Sequence, residues 1–145
     1  MFSKSASAQL RKEFWISFGK SFPRKWILYN TKIKDFSFKF VANQKLAMVC
    51  LDIESQDAIK NQLLFEQLLA LKNILVNEYI PTVIFDDKFT LESGKTIYRI
   101  YVIHQQKFNI HNKDTWQQAY EFFNETMYQF ELFYHNFEDF IKQAI

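Results

Sequence analysis

Asp35-Phe36-Ser37-Phe38-Lys39-Phe40-Val41-Ala42, then Asn43-Gln44-Lys45, then Leu46-Ala47-Met48-Val49-Cys50-Leu51-Asp52-Ile53: these residues hold the pattern on which the fold turns. In the first run Phe36, Phe38 and Phe40 alternate with Ser37 and Lys39. In the second, Ala47, Val49, Leu51 and Ile53 alternate with Met48, Cys50 and Asp52, with Glu54 next on that side. A period of two gives each run an apolar face, and the connection between them is of hairpin length. Trp26–Thr31 is also rich in rings and branched side chains and predicts a strand ahead of the pair. Joined through Lys32-Ile33-Lys34, it would complete a three-stranded antiparallel meander.

Upstream, Leu10, Phe14, Phe18 and Phe22 recur every fourth residue and predict a helix from Ser5 to Lys20, closed by Gly19 and Pro23. Downstream, Leu64, Leu68, Leu71 and Leu75 predict a helix from Gln56 to Tyr79, with Ser55 or Asp57 as its N-cap and Pro81 closing it. Val83–Leu91 and Thr96–His104 read as a second hairpin turning through Ser93-Gly94-Lys95, where glycine supplies a positive φ. A last helix is expected from Asp114, as N-cap, to the C-terminus. Its stripe is Trp116, Tyr120, Phe123, Phe130, Phe133, Phe137 and Ile141, widened by Phe122, Tyr128, Tyr134 and Phe140. The order α-β-β-β-α-β-β-α predicts an α+β fold, a mainly antiparallel five-stranded sheet covered by three helices, in a single domain spanning residues 1–145.

Composition fits one well-filled core. Of 145 residues, 48% are hydrophobic and 19% aromatic, while glycine and proline occur twice each, which leaves little room for flexible linkers. Cys50 is the single cysteine, so neither an internal disulfide nor a zinc site of two or more thiolates can be built. With no signal-like apolar run before Arg11-Lys12 and none of membrane-spanning length, a soluble cytoplasmic protein with no membrane association is expected. The net charge of +2 conceals a division: residues 1–45 carry ten Lys or Arg against Glu13 and Asp35, giving +8, and residues 46–145 carry eight against fourteen, giving −6. Such asymmetry points to an anionic partner or to self-association, although exposed lysines also serve solubility.

Element order invites comparison with metal-dependent nucleases of the PD-(D/E)XK type, whose carboxylates converge from adjacent strands on a catalytic ion. Asp52 and Glu54 end one strand on one face, with Asp35 before the preceding strand and Glu13 on the first helix. Glu54 stands where that motif requires lysine, and strand-end carboxylates beside a helix N-terminus also have an ordinary electrostatic use. His104, His111 and His135 lack metal-ligand spacing, Cys50 sits in an apolar run, and no Gly-rich phosphate loop is present, so no cofactor is expected. Arg24, Lys25, Trp26, Tyr29, Lys32 and Lys34 interleave cations with rings, a combination suited to phosphates and bases, although Trp26 and Tyr29 would equally serve the core of a strand. The excess of rings on the final helix suggests a symmetric dimer, unless the first and last helices bury each other.

The segment Arg11-Lys12-Glu13-Phe14-Trp15-Ile16-Ser17-Phe18-Gly19-Lys20 resembles the opening of an uncharacterised bacterial family, domain of unknown function 4268. The likeness continues through Trp26–Thr31, Val49–Glu54, Leu64-Phe65-Glu66-Gln67-Leu68, Ser93-Gly94-Lys95 with Tyr98-Arg99-Ile100-Tyr101, and Asn112–Trp116, so it spans nearly the whole chain. Family members look like either free-standing short chains, as here, or C-terminal domains behind a restriction-endonuclease-like segment. The resemblance therefore implies an accessory role linked to nucleic-acid metabolism or defence, and it marks Glu66, Arg99 and Trp116 as mutagenesis targets.

The expectation drawn from the sequence is a non-enzymatic accessory or binding domain acting through a protein partner, a second copy or nucleic acid. Its candidate surface is Arg11, Lys12, Lys20, Arg24, Lys25, Lys32 and Lys34. The alternative is a degenerate or cryptic nuclease using Glu13, Asp35, Asp52 and Glu54, which would require those carboxylates to meet at one point.

Overall fold

A computed structural model describes residues 2–145. Helix α1 (Lys4–Ser21) starts where the Ser3 hydroxyl accepts the Ala6 N–H and ends at Phe22, whose N–H donates to the Phe18 carbonyl. Strands β1 (Phe36–Ala42) and β2 (Ala47–Ile53) form the expected hairpin, Phe36 opposite Ile53 and Ala42 opposite Ala47. After α2 (Ala58–Ala70) and α3 (Lys72–Glu78) come β3 (Ile84–Thr90) and β4 (Thr96–Ile103), a 3-10 turn (Lys113–Thr115) and α4 (Trp116–Lys142). The sheet has four strands in the order β1-β2-β4-β3, every neighbour antiparallel.

The fold is therefore α+β, with four strands and four helices in place of five and three. The fifth strand fails at Trp26–Thr31, where the chain turns and φ is positive at Leu28 (40°), and the turns continue to β1 with positive φ at Lys32 (65°) and Asp35 (60°). Positive φ is costly for residues with a Cβ, so side chains from α4 must hold this path. The Glu131 carboxylate accepts the Ile27 N–H and the Arg24 guanidinium, each at 2.8 Å, and the Tyr134 hydroxyl donates to the Thr31 carbonyl. Thr31, fully buried, donates its hydroxyl to the Phe36 carbonyl at 2.6 Å. Trp26 is half-buried against the core, while Tyr29, expected inside, is 73% exposed.

The long central helix is broken at Leu71, where φ −97° and ψ 3° leave the helical region. Its apolar stripe nevertheless stays in phase across the break, and Leu64, Leu68, Leu71 and Leu75 are all buried. Asp57 is its N-cap, accepting from Ile59 and Lys60. At the last helix the expected cap moves from Asp114 to Asn112, whose side chain accepts the Asp114 N–H and starts the 3-10 turn.

The helices pack on the sheet face that carries Phe36, Phe38, Phe40, Val49, Leu51 and Tyr98. Phe123 meets Phe14, Trp15, Phe18 and Phe40; Phe130 meets Phe38; Tyr134 meets Phe36 and Phe38; Phe65 reaches Tyr98 and Phe85. The ring excess of α4 is thus largely spent within the chain, against α1, α3 and β1, and Tyr128, half exposed, is the ring left facing outward. No helix among the described residues is long and apolar enough to cross a membrane.

Candidate functional site

Strand pairing places the chemistry-bearing residues of the sheet on the face opposite the helices. Asp52 of β2 lies across from Ser37 of β1 and Arg99 of β4, and Cys50 lies across from Lys39 and Tyr101. Asp52 is fully buried, and its two oxygens accept from Arg99 Nε at 2.7 Å and Nη2 at 2.9 Å, a bidentate pair. The guanidinium is roofed by Phe89, whose ring centre lies 4.3 Å from it. Lys39 Nζ approaches Asp52 at 3.3 Å and donates to Glu54 at 2.5 Å, and Lys95 reaches Glu54 at 3.3 Å. Burial pushes the Glu54 carboxyl up, but the hydrogen bond and charge of Lys39, then those of Lys95, outweigh it and hold Glu54 below the usual carboxylate range. Burial likewise draws the Lys39 ammonium down, and Glu54 with Asp52 more than offsets that.

The other two carboxylates of the nuclease alternative lie outside this ion-pair network. Glu13, on α1, pairs with Lys113 at 3.0 Å, and that lysine's hydrogen bond and charge lower its pKa. Asp35 shares with Glu54 a polar hollow of about 550 Å³, where Asp35, Glu54 and Asp57 face Lys34, Lys60 and Lys95. The structure thus brings Asp52 to Glu54 through Lys39, and Asp35 to Glu54 through the hollow, while Glu13 stands apart beside the last helix. Among the described residues no group of three or more His, Cys, Asp or Glu is arranged to hold a metal ion.

Arg99 and Trp116 prove to be internal supports. Trp116 packs edge-on against Phe14, and its indole N–H donates to the Ile110 carbonyl at 2.9 Å. Glu66 is exposed on α2 and accepts from Gln62 one turn earlier. His104 packs at a tilt against Phe122 with its pKa lowered by burial, His111 lies against Phe2, and His135 is exposed on α4, so the three histidines do not meet.

Cys50 is fully buried at the sheet centre, and its thiol is pushed up to about 12 by burial, so it is held neutral at physiological pH. The folded chain keeps a proton that an unfolded thiol releases above about 8.5; this contribution to stability is therefore complete below that pH and is lost as pH rises toward about 12. At pH near 8, labelling of Cys50 by a disulfide reagent should be at least about 100-fold slower in the native protein than in urea. Comparable rates in the two conditions would show that this strand is not the protected centre of the sheet.

The cationic candidates lie on a different surface. Arg11, Lys12, Lys20, Lys25, Lys32 and Lys34 are exposed on α1 and the segment leading to β1, and none has a salt-bridge partner among the described residues. Arg24 differs, being held by Glu131 and stacked 3.6 Å over Trp26. Helical spacing puts Arg11 and Lys12 on the face of Trp15, which is 36% exposed. Trp15 meets Leu28, Tyr29, Phe38, Lys39 and Phe40 around a shallow groove of about 290 Å³ on the outer side of β1.

Neither this groove nor Glu131 was visible in strand or helix periodicity. Glu131 did leave a trace, since it interrupts the buried series Met127, Glu131, Tyr134 at helical spacing, where a carboxylate is placed only to serve partners. The family model described as a domain of unknown function (DUF4268) matches residues 10–138, and the chain belongs to that family. No curated protein and no solved structure matches it.

Proposed function

We propose that this chain is a non-enzymatic binding or accessory domain that engages an anionic partner through α1 and the segment between α1 and β1. The observation that carries this reading is the set of six exposed cations with no salt-bridge partner among the described residues, carried by α1 and the segment leading to β1, the same two segments that expose the rings of Trp15 and Tyr29. The chain pairs its more buried charges, as at Asp52–Arg99, Glu54–Lys39 and Glu131–Arg24, and what distinguishes these six exposed cations is their concentration on two consecutive segments. The sheet-face carboxylates support the nuclease alternative poorly, because Asp52 would have to give up its bidentate arginine before ligating an ion. A single buried cysteine fits work in the reducing cytoplasm. Self-association through α4 has less support than a heterologous partner, since its rings are engaged within the chain.

Titration with fluorescein-labelled polyglutamate, single-stranded DNA and duplex DNA at about 50 mM and about 200 mM salt tests the reading. Binding to at least one polyanion should weaken steeply with salt, and the variant Arg11→Glu/Lys12→Glu/Lys25→Glu should lose at least about tenfold in affinity. If no polyanion binds at the lower salt, this surface is only a solvated face.

A further inference from the structure

Strand register shows which backbone groups of β1 look outward. The Glu54 N–H donates to the Asp35 carbonyl and the Asn43 N–H to the Leu46 carbonyl, so the odd-numbered residues of β1 bond β2. Phe36, Phe38, Phe40 and Ala42 therefore direct their N–H and C=O groups away from the sheet. Part of that edge is already closed: the Phe38 N–H donates to the Leu28 carbonyl at 3.0 Å, and the Phe36 carbonyl accepts the Thr31 hydroxyl. From the Phe38 carbonyl through Phe40 to the Ala42 N–H, no hydrogen bond from the described residues reaches the edge.

The other edge of the sheet is treated differently. β3 carries Asp86, Asp87 and Lys88 at a register irregularity between Asp86 and Phe89, which removes the regular spacing that a further strand would need. β1 has no bulge in its pairing and presents apolar Phe38, Phe40, Val41 and Ala42, with Lys39 as its one charge, turned toward Glu54. The groove lined by Trp15, Tyr29 and Leu28 runs beside this open stretch and offers walls for the side chains of an added strand.

Resting on the anionic-partner reading above, we infer that the outer edge of β1 from Phe38 to Ala42 accepts an extended acidic segment of a partner polypeptide, added as a fifth strand. The alternating backbone donors and acceptors would pair with its main chain, its apolar side chains on one face would enter the Trp15–Tyr29 groove, and carboxylates flanking the paired stretch would meet the cations of α1 and of the segment leading to β1. A nucleic acid offers no matching row of N–H and C=O groups. A second copy paired edge to edge through β1 would oppose the basic surfaces of two molecules, each carrying +8 over residues 1–45.

The test uses the full chain and a fluorescein-labelled peptide with a core of alternating valine and threonine flanked by glutamates, followed by polarisation at low and moderate salt. Three companions are the same peptide N-methylated at alternate valines, a lysine-for-glutamate peptide, and the variant Ala42→Pro, which deletes one outward N–H but no ladder bond to β2. The acidic peptide should bind, N-methylation should cost at least about tenfold, and the lysine peptide should not bind. Ala42→Pro should lower affinity similarly while thermal unfolding stays cooperative; should it fail to fold, the N-methyl comparison decides. Amide exchange at Phe40 and Ala42, fast in the free protein, should slow when the peptide is bound. Equal affinity for methylated and unmethylated peptides would overturn strand addition while leaving the anionic-partner reading intact. So would tight binding of oligonucleotides alone, or a dimer in light scattering that pairs β1 with β1. Failure of every anionic probe at low salt would remove both.

Discussion

Arg99→Met is expected to lower the free energy of unfolding by about 3–5 kcal/mol, the usual cost of stranding one member of a buried ion pair. Asp52 is fully buried and takes both of its close hydrogen bonds from that one guanidinium, and Lys39, at 3.3 Å, is shared with Glu54 and cannot replace them. A second loss is the cation lying over Phe89. The double variant Asp52→Val/Arg99→Met should recover most of the deficit, because an apolar pair of similar volume needs no compensating charge. Urea unfolding followed by tryptophan fluorescence measures both. A loss below about 1 kcal/mol for the single variant would mean that Asp52 reaches water or another cation, and the strand-end carboxylates would then regain interest as a reactive pair.

That network also shows what a linear sequence conceals. Asp52 and Glu54 were legible as two carboxylates on one strand face, because a period of two decides faces without reference to partners. Their meaning came from Arg99, 47 residues away, and from Lys39 across the hairpin, and pairing of that range has no local signal. The same division holds for the fold. Alternation in β1 and β2 and the leucine stripe across Leu64–Leu75 are local and survived intact, including across the break at Leu71. Trp26–Thr31 reads as a strand yet turns, because its conformation is set by Glu131 and Tyr134, about a hundred positions further on. The basic surface was readable as composition, since unpaired cations need no partner to be noticed. The open edge beside it emerged once β1, expected in the middle of a meander, was found at the rim of the sheet.

Phe14→Ala should be the most damaging single truncation in the aromatic core, costing about 3–5 kcal/mol and lowering the melting temperature by roughly 10–20 °C. Phe14 is fully buried, with Trp116 at 5.2 Å, Tyr120 at 4.9 Å, Phe108 at 5.6 Å and Phe123 at 6.2 Å between ring centres. Those neighbours come from α4 and from the loop before it, so a cavity here loosens α1 from both at once. The Tyr120 hydroxyl, which donates to the Phe14 carbonyl at 2.7 Å, would keep the backbone in place and limit collapse into the void, placing the cost toward the upper part of the range. Phe14→Leu, which fills most of the space, should lose much less. Trp15→Ala, one residue on, removes a ring that is 36% exposed and stacked on Phe123, and should cost stability little by comparison. The two neighbours therefore separate roles that the sequence presents as one aromatic helix face. Phe14 should move the melting temperature and leave binding by the surviving folded fraction unchanged. Trp15 should weaken the acidic peptide's binding while the melting temperature moves little, and the opposite assignment would place the binding surface somewhere other than the groove beside β1.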